Sequence, residues 1–160
     1  MTSRGAGRRV VIGVGNEYRR DDGFGPLVVS GLIGRQAADR RLAEVELRFS
    51  DGEPTRLLDL WTGAAVAVVV DAVLDDAGHA GRHHELVLDA LDALGAGGPA
   101  GSHAVGLGST VALGRALDRL PGRLVVLAVS GTDFGFGQGL TAPVAAAVPP
   151  VTERVCVLVG

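Results

Sequence analysis

Residues Val11 to Pro26 read V-I-G-V-G-N-E-Y-R-R-D-D-G-F-G-P. A short apolar run ends in Gly13, Gly15 and Asn16. A charged loop follows, and then Asp21 and Asp22 precede Gly-Phe-Gly-Pro at the head of a second apolar stretch. The pattern predicts a strand that stops, a tight turn, and a helix that begins just after the two aspartates. The helix dipole favours carboxylates at that place. Acidic groups beyond the carboxyl end of a buried strand also stand where open α/β sheets build their sites.

Outward from this stretch, five strands are expected: Arg9 to Val14, Glu44 to Phe49, Ala64 to Val70, Glu85 to Leu88 and Arg123 to Val129. In the second, Val45, Leu47 and Phe49 alternate against Glu46 and Arg48. The third and fifth are apolar on both faces, as buried parallel strands are. The fourth is weaker and reads as an edge. Helices are expected over Gly25 to Arg35, Thr55 to Trp61 and His103 to Leu120, with a last one from near Thr141, a plausible N-cap followed closely by Pro143. Pro149 and Pro150 are expected to interrupt or kink that helix. Gly95 to Gly101 reads as a flexible connector inside one domain. The order of elements indicates an α/β protein with three layers, α/β/α.

Composition narrows the function. A chain of 160 residues is expected to be one domain. Apolar residues make up 47% but aromatics only 4%, so the core must be built from Val, Leu, Ala and Ile. The net charge is −3, with no basic tract longer than two residues, which argues against a nucleic-acid footprint. The longest apolar run, Gly63 to Val70, is too short to cross a bilayer. The N-terminal arginines have no apolar segment behind them, unlike a secretory signal. The one cysteine, Cys156, excludes a disulfide within the chain and any cysteine-based metal cage, and reads as a small buried hydrophobe. A soluble cytoplasmic protein is the expectation.

Three segments could converge at one end of such a sheet: the loop with Glu17, Asp21 and Asp22, the strand end at Asp71, and Ser102-His103 at the head of the long helix. A carboxylate at the end of a buried strand is costly unless it is paired or solvated. A histidine in the first turn of a helix is held neutral by the dipole, the form that binds metals. Asp22, Asp71 and His103 would make an N/O donor set suited to a divalent transition ion such as nickel or zinc, with open coordination positions. Without a cation the two carboxylates would repel, and one would tend to hold a proton. Taken singly, Asp22 reads as a helix-capping carboxylate, Asp71 equally as a turn residue or a site residue, Ser102 as an N-cap and His103 as a capping or surface histidine. His79, His83 and His84 read as solvated, and the adjacent pair would face opposite ways on a strand. Gly13-Val14-Gly15-Asn16 does not make a dinucleotide loop, because Tyr18 stands where the third glycine belongs and the following loop is acidic. Ser102, Ser109 and Ser130 lack a recognisable triad setting.

In order, these motifs resemble the hydrogenase maturation proteases, endopeptidases that trim the C-terminal extension from the large subunit of nickel–iron hydrogenases. Gly13 to Asn16 with Asp21 to Pro26 is similar to the family's opening G-x-G-N…D-[DE]-x-x-G. Asp71 stands where the family has its second acidic metal contact, Ser102-His103 resembles its histidine segment, and Gly139 to Val144 its closing G-L-[ST]-x-x-V piece. The resemblance implies an α/β/α sandwich with a twisted, mostly parallel five-stranded sheet. It implies Asp22, Asp71 and His103 as metal contacts, with the nickel supplied by the substrate and no permanently bound cofactor. It implies the hydrogenase large-subunit precursor as partner; composition points to no nucleic acid or membrane, and a monomer is the expectation. Asp51-Gly52 looks like the family's D-G element, but Glu53-Pro54 follows where many relatives carry another small residue and threonine. A catalytic role for Asp51 and a helix-capping one are both open. Asp22 or Asp71 would orient or deprotonate the attacking water. The alternatives are a non-catalytic module that escorts the precursor and, further off, a nucleotide-binding α/β protein.

Overall fold

Alternation along the strands decides how the sheet is covered. Val10, Ile12 and Val14 face one side of the first strand and Val11 the other, and both sets are buried. The computed structural model describes residues 7–89 and 107–160. Its strands are β1 (Arg9–Val14), β2 (Glu46–Ser50), β3 (Val66–Leu74), β4 (His83–Asp89) and β5 (Arg123–Gly131). Its α-helices are α1 (Phe24–Arg35), α2 (Pro54–Trp61), α3 (Gly108–Ala116) and α4 (Ala142–Val159). The expected connector at Gly95 to Gly101, Ser102, His103 and the start of the expected His103 to Leu120 helix lie outside the described residues.

The sheet order is β2-β1-β3-β5-β4, parallel except for β4, which runs antiparallel on the edge beside β5. One face packs α1 and α4 against Val11, Leu47, Val68, Val70, Val125 and Leu127. The opposite face packs α2 and α3 against Val10, Ile12, Val69 and Val126, with Trp61 fully buried among them. This is an α/β fold with helices on both faces of a mostly parallel sheet.

Three expectations are corrected. β3 does not end at Val70 but continues to Leu74, because β5 runs on beside it to Gly131 and supplies partners. Phe49 is not a core residue: it is half exposed at the end of edge strand β2, while Leu47 carries the buried side. Pro149 and Pro150 lie inside an uninterrupted helix. Val144, Ala147, Val151, Val155, Cys156 and Val159 are buried along its sheet-facing side, and that burial outweighs the backbone hydrogen bonds the prolines remove. Because the helix is continuous, α4 is long and apolar enough by length and composition to cross a bilayer. Its buried stripe is that of a core helix packed on a sheet.

Candidate active site

From β1 the chain passes to β2 on one side, and then to β3 on the other, so the sheet has its topological switch point between β1 and β3. Open α/β sheets form a crevice at the carboxyl ends of the strands at such a point. Here two glycines let α1 begin directly over it. A Cβ on Gly25 would stand 2.3 Å from the Val70 carbonyl oxygen and 2.6 Å from that of Val14. Gly15, at φ +139, brings the chain so close to Asp22 that a Cβ there would meet the Asp22 carbonyl oxygen at 2.0 Å. The glycines thus press the opening loop onto the ends of β1 and β3.

Both aspartates of the pair sit in a 3-10 turn, Arg20–Gly23, just before α1. Asp22 is half-buried and accepts from the Asn16 backbone N–H at 3.0 Å. Burial raises its pKa, against the opposing pull of that N–H and of Arg19. Asp71 lies inside β3, one residue beyond Val70, the last to pair with β1. The sequence places it at the strand end; in the structure it has β5 on one side and the open end of β1 on the other. It is 7% exposed, and among the described residues its carboxylate has one hydrogen bond, accepted from the Ala72 N–H at 2.7 Å. Burial pushes its pKa up to about 8, the Ala72 N–H opposes this, and the charge of Asp22 adds to the rise. The two carboxyl groups therefore share the crevice, with no cation within salt-bridge reach of either among the described residues.

Asp51 is exposed on the loop after β2 and accepts from the Glu53 N–H at 3.0 Å. The capping role belongs to Glu53, whose carboxylate accepts from the Arg56 N–H at 3.0 Å, with Pro54 opening the helix behind it. Asp51 instead lines a cavity of about 490 Å³ with Gly15, Asn16, Glu17, Tyr18, Pro26 and Phe49. Asn16 is shared between this cavity and the Asp22 carboxylate. Phe49 and Tyr18, both more than half exposed, give it aromatic walls. The sequence hid this feature, because an aromatic in an alternating strand reads as core.

Among the described residues, the only trio able to hold a metal is Asp75, Asp76 and His79, all exposed. His79 Nδ1 lies 2.8 Å from Asp76, which also caps the short turn there. Ser130 is buried and donates to Asp75 at 3.1 Å, so its hydroxyl meets a carboxylate rather than an imidazole. No serine triad forms there.

Fold and site together define a doubly wound α/β protein with a carboxylate pair in its switch-point crevice. No protein-family model matches the chain, and no curated protein matches it significantly in sequence. Solved structures do match it. The hydrogenase maturating endopeptidase HybD from E. coli aligns at 25% identity with a TM-score of 0.69, over 92% of this chain and 89% of its own. The hydrogenase 2 maturation peptidase from a Thaumarchaeota archaeon aligns at 24% and 0.65, over 96% and 98%. The [NiFe] hydrogenase maturation protease HybD from Thermococcus kodakarensis aligns at 21% and 0.64, over 96% and 99%. The chain has the fold of the hydrogenase maturation proteases, as its sequence motifs suggested.

Proposed function

We propose that the protein is a cytoplasmic endopeptidase that removes the C-terminal extension from a nickel-loaded hydrogenase large-subunit precursor. The observation that carries this reading is the Asp22–Asp71 pair: two carboxyl groups in one crevice, the deeper one with a single N–H partner among the described residues and a pKa pushed up to about 8. Such a pair accommodates a cation, which removes the repulsion and displaces the proton. The nickel arrives in the precursor, and Asp22, Asp71 and His103 would grip it, His103 being assigned by motif. A carboxyl group that titrates near working pH is also suited to handling the proton of an attacking water. The cavity bounded by Tyr18, Phe49, Pro26 and Asp51 opens beside Asp22 and would receive the polypeptide around the scissile bond. Asp51 would act there on the substrate chain.

The test mixes the protein with nickel-loaded and nickel-free precursor and follows the mass of the large chain. Loss of the tail from the loaded form alone supports the reading. Binding without cleavage would make the protein an escort instead. Asp22→Asn is expected to lower kcat/KM on the order of a thousandfold while the protein stays folded. His103→Ala is expected to do the same, and undiminished cleavage by both variants would end the proposed site. Phe49→Ala is expected to raise KM about fivefold, the loss of roughly 1 kcal/mol of apolar contact, with kcat nearly unchanged.

A further inference from the structure

The sequence presents Asp21 and Asp22 as equivalents, but the structure sends them opposite ways. Asp21 is fully buried. One carboxylate oxygen accepts from the N–H groups of Thr132 at 2.9 Å and Asp133 at 3.2 Å. The other accepts from the Thr141 N–H at 2.7 Å, and the Thr141 hydroxyl lies 3.0 Å from both. These donors belong to the turn after β5 and to the N-cap of α4. Thr141 is thus an N-cap whose hydroxyl is committed to Asp21 rather than to its own helix. Gly131 makes room, since a Cβ there would stand 2.9 Å from Asp21 Cβ.

The backbone around Asp21 is held to the same segment. Asp21 N–H donates to the Asp133 carbonyl at 2.9 Å, Arg20 N–H to that of Gly137 at 2.9 Å, and Gly137 N–H to that of Tyr18 at 2.9 Å. Arg20 adopts a left-handed φ of +46, an unfavourable state for a residue with a Cβ. That turn aims successive side chains to opposite sides. β5, which ends in Gly131, pairs with β3 at Asp71 itself, where Asp71 stands opposite Ala128. The strand that pairs with β3 at Asp71 is therefore the one whose following turn, at Thr132 and Asp133, holds Asp21, the neighbour of Asp22.

We propose that Asp21 is a positioning residue: its buried carboxylate latches the opening loop to the 132–141 segment and so fixes where Asp22 stands relative to Asp71. This rests on the cleavage reading above for its activity readout, and not for its binding readout. Asparagine cannot replace the latch. Each carboxylate oxygen faces a backbone N–H, so an amide NH₂ placed on either side opposes a donor with a donor.

The test uses the full chain as wild type, Asp21→Asn, Thr141→Val and Thr141→Ser, each assayed well below its melting temperature. kcat and KM are measured on loaded precursor, and Ni²⁺ affinity is measured by calorimetry on the protein alone. For Asp21→Asn, kcat is expected to fall about a hundredfold with KM within twofold, and Ni²⁺ affinity about tenfold. Thr141→Ser is expected to match wild type, and Thr141→Val to lose part of both. A lower melting temperature with unchanged kcat and Ni²⁺ affinity would reduce Asp21 to a stabilising residue and overturn the proposal. If Asp21→Asn fails to fold, equal values for Thr141→Val and Thr141→Ser overturn it. If wild type cleaves nothing, the cleavage reading fails and Ni²⁺ affinity alone decides Asp21.

Discussion

Asp71→Asn is expected to abolish cleavage of the loaded precursor and, at the same time, to make the free protein more stable. The side chain is 7% exposed, with a pKa of about 8 against an ordinary 3.8. In the folded chain the carboxyl keeps a proton that the unfolded chain gives up. Its contribution is intact below the unfolded value. It declines as the pH climbs from 3.8 and is fully lost once the pH passes about 8. Asparagine keeps the oxygen that accepts from the Ala72 N–H and has no charge to bury. The gain should therefore be small near pH 4 and reach about 2 kcal/mol above pH 8, allowing for relaxation around the ionised group. Thermal melts of both proteins across that range check the slope. A variant that melts lower than wild type at every pH would show that Asp71 is held by favourable contacts, and the case for a cation-seeking pair would go with it.

Gly25→Ala is expected to be severely destabilising. The added Cβ would fall 2.3 Å from Val70 O, 2.6 Å from Val14 O and 2.8 Å from Val14 N. All three are backbone atoms of paired strands and cannot rotate away. Relief requires α1 to lift from the sheet, costing about 3 kcal/mol or more and on the order of 10 °C in melting temperature. Cleavage should fall with it, because Asp22 rides on the turn that enters α1. Gly31→Ala is the control: it lies on the exposed side of the same helix with nothing within 4 Å of the new atom. There alanine is expected to stabilise by about 0.5–1 kcal/mol. Equal melting temperatures for the two variants would refute the close-packing account of Gly25.

Much of this was legible in the order of residues. Apolar runs on both faces marked β3 and β5 as interior strands, and β4 was read as the edge it is. The opening motif placed a turn and helix after β1, within one residue of the observed start of α1. Other features depended on neighbours that the sequence does not name. Phe49 fits an alternating pattern, yet at the end of edge strand β2 the ring is half exposed and lines a cavity instead of the core. Pro149 and Pro150 break helices when nothing else holds them, but here the buried side of α4 holds them.

By itself the sequence determined the layer order, the interior strands and the loop and strand end where acids gather. These follow from local periodicity and from where apolar runs stop, which each segment carries on its own. Only the tertiary structure decided how the acids differ. Asp21 and Asp22 are chemically identical neighbours, and one became a buried latch while the other stayed at the crevice. Asp71 was pushed toward neutrality by burial and by a charge brought from a distant part of the chain. Burial and electrostatic coupling are set by what packs around a group, and that is assembled from residues remote along the polypeptide.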